Sequence, residues 1–125
     1  MLINLSNHPF LHWDESQRSA SEKYGKCIDL TFPSIDPFGD EKYIDSISED
    51  YLLKILKLKT ENDEEIVVHL MGEMTFVFSL LEKLKKEGIR CIASTTERLI
   101  EYYDEGVKKT QFSFVRFRDY FNIAK

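Results

Sequence analysis

Apolar positions in this chain fall into short runs that alternate between strand-like and helix-like spacing. Leu2-Ile3-Asn4-Leu5 is a compact apolar run ending at Ser6-Asn7-His8-Pro9, where proline removes a ladder donor, so a strand is predicted there. Asp14-Glu15-Ser16-Gln17 has the form of a capping box, with Asp14 as N-cap, and predicts a helix to Tyr24 that Gly25 stops. Cys27-Ile28-Asp29-Leu30-Thr31-Phe32 reads as a second strand closed by Pro33, and the stretch from Pro33 to Lys42 as a loop. A second capping box, Ser46-Ile47-Ser48-Glu49, predicts a helix that buries Tyr51, Leu52, Ile55 and Leu56. The run Ile66-Val67-Val68-His69-Leu70-Met71 suits a central parallel strand covered on both faces. Gly72-Glu73-Met74-Thr75 then turns the chain into a third helix, Phe76 to Glu87, and Ile89 to Ser94 forms a fourth strand.

The pattern changes after Ser94. Arg98 to Tyr103 and Gln111 to Arg118 are strand-like and are separated by the turn formers Asp104-Glu105-Gly106. Strands joined so closely pair antiparallel. Alternating strands and helices followed by a hairpin predict a small Rossmann-like α/β domain of three layers, one unit over residues 1–125. Its sheet is expected to be mainly parallel, with a C-terminal antiparallel β-hairpin.

Composition narrows the function classes. The chain has 125 residues, 17 Lys and Arg against 22 Asp and Glu, and a net charge of −5, which argues against gripping long nucleic acid through a basic surface. The charge is uneven: residues 1–65 carry net −7 and residues 66–125 net +2, so cationic groups for a small anion are expected from the second half. No apolar run approaches the roughly 20 residues of a membrane helix, and the N-terminus lacks the basic and apolar regions of a signal peptide. A cytoplasmic protein is expected. Cys27 and Cys91 lie in apolar runs without metal-ligand spacing and read as reduced, buried thiols.

In sheets of this kind ligands bind beyond the carboxyl ends of the strands, where strand order reverses. That selects Ser6-Asn7-His8-Pro9, Gly72-Glu73-Met74-Thr75 and Ser94-Thr95-Thr96-Glu97-Arg98. The Gly72 turn offers helix-start N–H groups to an anion, with Thr75 either a ligand contact or simply the N-cap. Neither a Walker lysine nor a GxGxxG is present. Ser94, Thr95 and Thr96 with Arg98 are suited to hold a phosphodiester, unless the hydroxyls only satisfy their own backbone. His8 is the best-placed general acid or base, against the alternative of a turn histidine stacked on Phe10 or Trp13. His69, among Val68 and Leu70, reads as a hydrogen-bonded core histidine. A His8–His12 metal pair is not expected across Pro9, and no cofactor or metal is implied. Arg116 and Arg118 share one strand face and read as edge charges. Lys83, Lys85 and Lys86 read as a cationic helix end. No Ser/His/Asp nucleophilic arrangement can be located from the sequence.

Three segments together resemble the small single-domain members of the CRISPR-associated Rossmann fold (CARF) family proposed as ring nucleases. They are Asn4-Leu5-Ser6-Asn7-His8-Pro9, Ala93-Ser94-Thr95-Thr96-Glu97-Arg98 and Val115-Arg116-Phe117-Arg118. The resemblance implies a homodimer binding cyclic oligoadenylate across its two-fold axis. With no room for an effector in the chain, degrading the messenger or acting through a separate partner is the expected role. The implied mechanism is metal-independent: the ligand's 2′-hydroxyl attacks the neighbouring phosphorus and leaves a 2′,3′-cyclic phosphate. Ser94, Thr95 and the Gly72 turn would position phosphate, Arg98 would stabilise charge, His8 would be the acid or base, and Ser6 and Asn7 would hold ribose or adenine. A non-catalytic sensor or sponge, and a protein-interaction module built on the hairpin, are the alternatives.

Overall fold

Strand β1 (Leu2–Leu5) has all four side chains buried and occupies the interior of the sheet. It is flanked in parallel by β2 (Cys27–Asp29) and β3 (Val67–Leu70). Strand β4 (Arg90–Tyr102) runs parallel to β3, and β5 (Lys108–Asp119) pairs antiparallel with β4. The order is β2-β1-β3-β4-β5, a five-stranded mixed α/β sheet that is mostly parallel, seen in a computed structural model that describes residues 1–103, 105, 106 and 108–122. Asp104, in the expected turn of the hairpin, lies outside the described residues.

Side-chain alternation divides the sheet into two faces. Ile3, Leu5, Val68, Leu70 and Cys91 pack against α2 (Glu41–Asn62) and α3 (Met74–Lys86), around the fully buried Phe76 and Leu80. Phe76 takes Phe32 and Tyr51 edge-on, with ring centroids 5.2 and 5.4 Å away. On the other face Leu2, Ile92 and Phe117 meet Trp13, which precedes the short α1 (Glu15–Ser21). Asp14 caps α1 by accepting from the Gln17 N–H at 2.8 Å, and the chain leaves through a 3₁₀ turn to Gly25 at φ 88°, as the sequence predicts.

Four boundaries differ from expectation. Strand β2, at the edge of the sheet beside β1, stops at Asp29; beyond it the chain turns toward α2, and the Thr31 carbonyl accepts from the Tyr51 hydroxyl at 2.8 Å. Helix α2 begins one and a half turns before the Ser46 box, capped by Asp40, whose carboxylate accepts from the Tyr43 N–H at 3.0 Å. Ser48 is therefore buried mid-helix, where its hydroxyl bonds the Asp45 carbonyl and, at 2.7 Å, the Ser79 hydroxyl of α3. Helix α3 begins at Met74, with Glu73 as its N-cap in place of Thr75.

The fourth difference matters most for the site: Ser94-Thr95-Thr96 does not leave the sheet. Strand β5 partners β4 continuously from Ile92 to Tyr102, merging the two predicted strands into one of 13 residues. A bulge at Thr95/Thr96 opposes Thr95 to Arg116 but Thr96 to Phe114, leaving Val115 as the extra residue. The inserted residue brings Phe114 and Phe117, three apart, to the same face, with ring centroids 4.9 Å apart.

Gly72 links β3 to α3 where a Cβ would fall 2.2 Å from the Phe32 ring. The position is glycine so that Phe32 can close over the turn and reach Phe76. Gly72→Ala is expected to lower unfolding stability by about 1–3 kcal/mol in urea denaturation, the usual cost of overpacking. A loss below about 0.5 kcal/mol, within the range of neutral surface changes, would show that Phe32 swings aside freely.

Candidate functional site

Asp29, Asn4 and His69 occupy the same register on β2, β1 and β3, forming a polar row across three otherwise apolar strands. The chain passes from β1 to β2 on one side and returns through β3 on the other, so the row lies where strand order reverses. Asn4 is 1% exposed and His69 2%. Burial at this level requires complete pairing, and the amide of Asn4 makes four hydrogen bonds. Its Nδ2 donates to Asp29 Oδ1 at 2.8 Å and to the His8 carbonyl at 2.9 Å. Its Oδ1 accepts from the Ser6 hydroxyl at 2.8 Å and faces His69 Nδ1 at 2.9 Å.

These partners determine the tautomer. Asp29 and the His8 carbonyl only accept, so Nδ2 must point at them and Oδ1 at His69. His69 Nδ1 is then the protonated nitrogen, and Nε2 accepts from the Ser94 hydroxyl at 2.7 Å. Ser94 Oγ in turn accepts from Gln17 Nε2 of α1 at 3.0 Å. Trp13 and Phe117 close on the imidazole edge-on, with ring centroids 5.1 and 5.6 Å away. Burial, and then the charge of nearby His8, lower the His69 pKa from 6.5 to about 4, so the ring is neutral near pH 7.

Above Ser94 and His69 opens a cleft of about 530 Å³. One wall is the turn after β1, with Ser6, Asn7 and His8; the opposite wall is the hairpin, with Thr96, Phe112 and Phe114. Met71 and Gly72 border it at the end of β3, and Trp13, Asp14 and Gln17 at the start of α1. The β1 turn is held by the His8 carbonyl, which accepts from Trp13 Nε1 at 2.9 Å as well as from Asn4. That leaves the exposed His8 side chain at the cleft. The hydroxyl of Ser16 and the N–H of Gln17 bond the Asp14 carboxylate; Gln17 is the larger influence holding its pKa below the usual value.

Of the residues expected from the sequence, Ser6, Asn7, His8, Gly72, Ser94 and Thr96 line this cleft. Thr95 does not: its hydroxyl bonds both the carbonyl and the N–H of Arg116, at 3.1 and 3.2 Å, and closes the bulge. Arg98 lies outside the lining, although it pairs in the ladder with Phe112, which does line it. The Glu73 carboxylate accepts from the N–H groups of Thr75 and Phe76, so the start of α3 is occupied by its own side chain and not open to an anion. The Thr75 hydroxyl also bonds Glu73, and is the first cause of the lowered Glu73 pKa. Met74 is exposed, on the far side of Gly72 with Phe78 and Leu81. Arg116 and Arg118 are exposed on β5, opposite Thr95 and Ala93.

His69 is a buried histidine as expected, yet it also touches the cleft, and the sequence reading missed its link to Ser94. A signal existed. In Leu2-Ile3-Asn4-Leu5, Cys27-Ile28-Asp29-Leu30 and Val67-Val68-His69-Leu70 the third position is polar each time, and parallel pairing sets the three side by side. Neither thiol takes part: burial raises Cys27 to about 11 and Cys91 to about 12. Among the described residues no group of three or more His, Cys, Asp or Glu could hold a metal ion, and no helix is long and apolar enough to cross a membrane.

The chain is thus an α/β protein with a cleft at the switch point of a mostly parallel sheet, floored by a serine–histidine–asparagine chain of hydrogen bonds. The family model described as Uncharacterized protein MJ1673 family matches residues 1–118, and the chain belongs to this family. No curated protein and no solved structure matches it.

His69 has a measurable consequence for stability. Its imidazole titrates near 4 in the fold against 6.5 in the unfolded chain, so between these values the unfolded chain binds more protons. Its contribution is intact above pH 6.5 and falls as pH drops toward 4, by roughly 3 kcal/mol in all. His69→Gln should flatten the wild-type decline in unfolding stability across this window, measured by urea titration at successive pH values. Parallel profiles for the two proteins would show that His69 is not the group responsible.

Proposed function

We propose that this protein is a small Rossmann-like ring nuclease of the CARF type that binds cyclic oligoadenylate in the cleft and opens it without a metal. This role would switch off type III CRISPR antiviral signalling. The observation that carries the reading is a hydroxyl, Ser94, held by His69 on the floor of a cleft walled by aromatic and small polar side chains. Phe112 and Phe114 offer faces on which adenine can stack, each stacked base adding about 1–3 kcal/mol. Ser6 and Asn7 suit ribose hydroxyls, and Ser94 and Gln17 suit the phosphodiester.

In this mechanism the substrate's 2′-hydroxyl gives its proton to solvent water as the 2′-oxygen bonds to the adjacent phosphorus, and the bond to the 5′-oxygen breaks. The cleft's main contribution is to hold these atoms in line. His8, exposed at the cleft, is the group placed to give a proton to the departing 5′-oxygen. Arg98, on the hairpin beyond Thr96, adds positive charge toward which the phosphates lie. Thr95, Glu73, Met74 and Thr75 have no part in this version of the site.

The active unit in this proposal is a homodimer joined through the hairpin. Beyond Thr96 the β4–β5 ribbon carries Leu99, Ile100, Tyr102 and Tyr103 to the surface, with Tyr102 74% exposed. A bare two-stranded ribbon is marginal in water, and a partner would cover it. Phe112 and Phe114 connect the same ribbon to the cleft, so pairing there would set two clefts around one two-fold axis and one even-membered ring. Light scattering should give a dimer mass, and Leu99→Asp with Ile100→Asp a monomer; a wild-type monomer at all concentrations removes this arrangement.

Excess labelled cyclic tetra-adenylate or hexa-adenylate, incubated with the protein and EDTA, should yield linear fragments ending in 2′,3′-cyclic phosphate over many turnovers. His8→Ala should slow single-turnover cleavage by about 10²–10⁴-fold while weakening binding much less. Bound but intact ligand would make the protein a sensor or sponge. Ligand that neither binds nor changes would remove this function.

A further inference from the structure

The hydrogen bonds beneath the cleft define more than a satisfied polar core. Ser94 Oγ–H points at His69 Nε2 over 2.7 Å, and His69 Nδ1–H points at Asn4 Oδ1 over 2.9 Å, both within the range that links a nucleophile, its base and the group that orients the base. The direction of each proton follows from Asn4, both of whose Nδ2 bonds go to pure acceptors. Asp29, one bond further along, polarises the Asn4 amide and is itself held by the Phe10 N–H at 3.1 Å. A purely structural network needs no opening to solvent, but Ser94 and His69 both line the cleft.

The geometry points to a second activity, independent of the cyclic oligoadenylate reading: Ser94, His69 and Asn4 form a serine nucleophile site that hydrolyses small carboxylic esters through an acyl-enzyme. Ser94 Oγ bonds to the ester carbon as its proton passes to His69 Nε2. The carbon–oxygen bond to the alcohol then breaks, and the departing oxygen takes that proton from His69. Water, losing a proton to His69, attacks the acyl carbon; the proton returns to Ser94 Oγ as the acid leaves. Asn4 keeps the imidazole in the tautomer that each transfer requires. Gln17 Nε2, 3.0 Å from Ser94 Oγ, is a side-chain donor that can turn to the oxyanion formed there. Trp13, Met71, Phe112 and Phe114 supply an apolar wall for the acyl or alcohol part.

The test uses the intact protein and an alkyl fluorophosphonate, which forms a stable bond to an activated serine with loss of fluoride. One adduct per chain is expected, located on Ser94 by peptide mass spectrometry and absent in Ser94→Ala. His69→Gln should slow labelling by about 10²–10⁴-fold and Gln17→Ala by about 10²–10³-fold. p-Nitrophenyl butyrate should give a burst of one p-nitrophenolate per chain before a slower steady rate. Failure of the folded wild-type protein to label overturns the proposal without any variant being needed. An adduct on Ser6 or Ser16, or a labelling rate unchanged in a folded His69→Gln, also overturns it. Labelling of Ser94 with no cleavage of cyclic oligoadenylate removes only the function proposed above, and cleavage without labelling removes only this one.

Discussion

The side-chain amide of Asn4 is the interaction on which most of this architecture converges. It is buried in an interior strand, and its four hydrogen bonds reach β2 through Asp29, the β1 turn through Ser6 and the His8 carbonyl, and β3 through His69. From His69 the chain of bonds continues to Ser94 on β4 and Gln17 on α1. A buried polar group left without a partner costs about 1–3 kcal/mol, so this network stabilises the fold only when complete. An apolar residue at position 4 would strand several groups at once. The same completeness leaves His69 and Ser94 with only one arrangement of protons.

The two faces of the sheet divide the work. Helices α2 and α3, of 22 and 13 residues, cover one face with a continuous apolar cluster centred on Phe76. On the other face α1 has only seven residues, and Trp13 and Phe117 fill the space beside it. A helix that short cannot cover the carboxyl ends of three strands. The uncovered area, where the polar row ends, is the cleft, and its depth is a consequence of how little α1 shields.

The hairpin supplies the remaining wall, and the bulge in it is what aims the wall correctly. Regular alternation along β5 would send Phe114 and Phe117 to opposite faces. The extra residue Val115 lets Phe117 seal His69 from below while Phe114 faces the cleft. Thr95, whose hydroxyl closes both backbone groups of Arg116, is the residue that makes the bulge tolerable. Its hydroxyl shapes the wall of the cleft without lining it.

Much of the fold was legible in the residues. The runs around Ile3, Val68 and Ile92, the Asp14 box and Gly25 carry local physics strong enough to place strands and a helix, and alternation implied a mostly parallel sheet with a terminal hairpin. The ends of elements were less legible. Ser46 and Asp40 both have cap chemistry, and in the longer helix the added turns also meet α3, where Asp45 pairs with Lys83. The turn residues Ser6, Asn7, His8 and Gly72 were visible as cleft residues because a strand's carboxyl end is a local property. The role of Thr95 was hidden because a bulge depends on the partner strand. Hidden for the same reason was the bond between His69 and Ser94, 25 residues apart in the chain. Sequence by itself determined where strand-like and helix-like segments lie and which turn residues follow β1 and β3, since those depend on neighbours a few residues away. Only the tertiary structure decided which polar groups pair, because register across β2, β1, β3 and β4 brings Asp29, Asn4, His69 and Ser94 within hydrogen-bond reach.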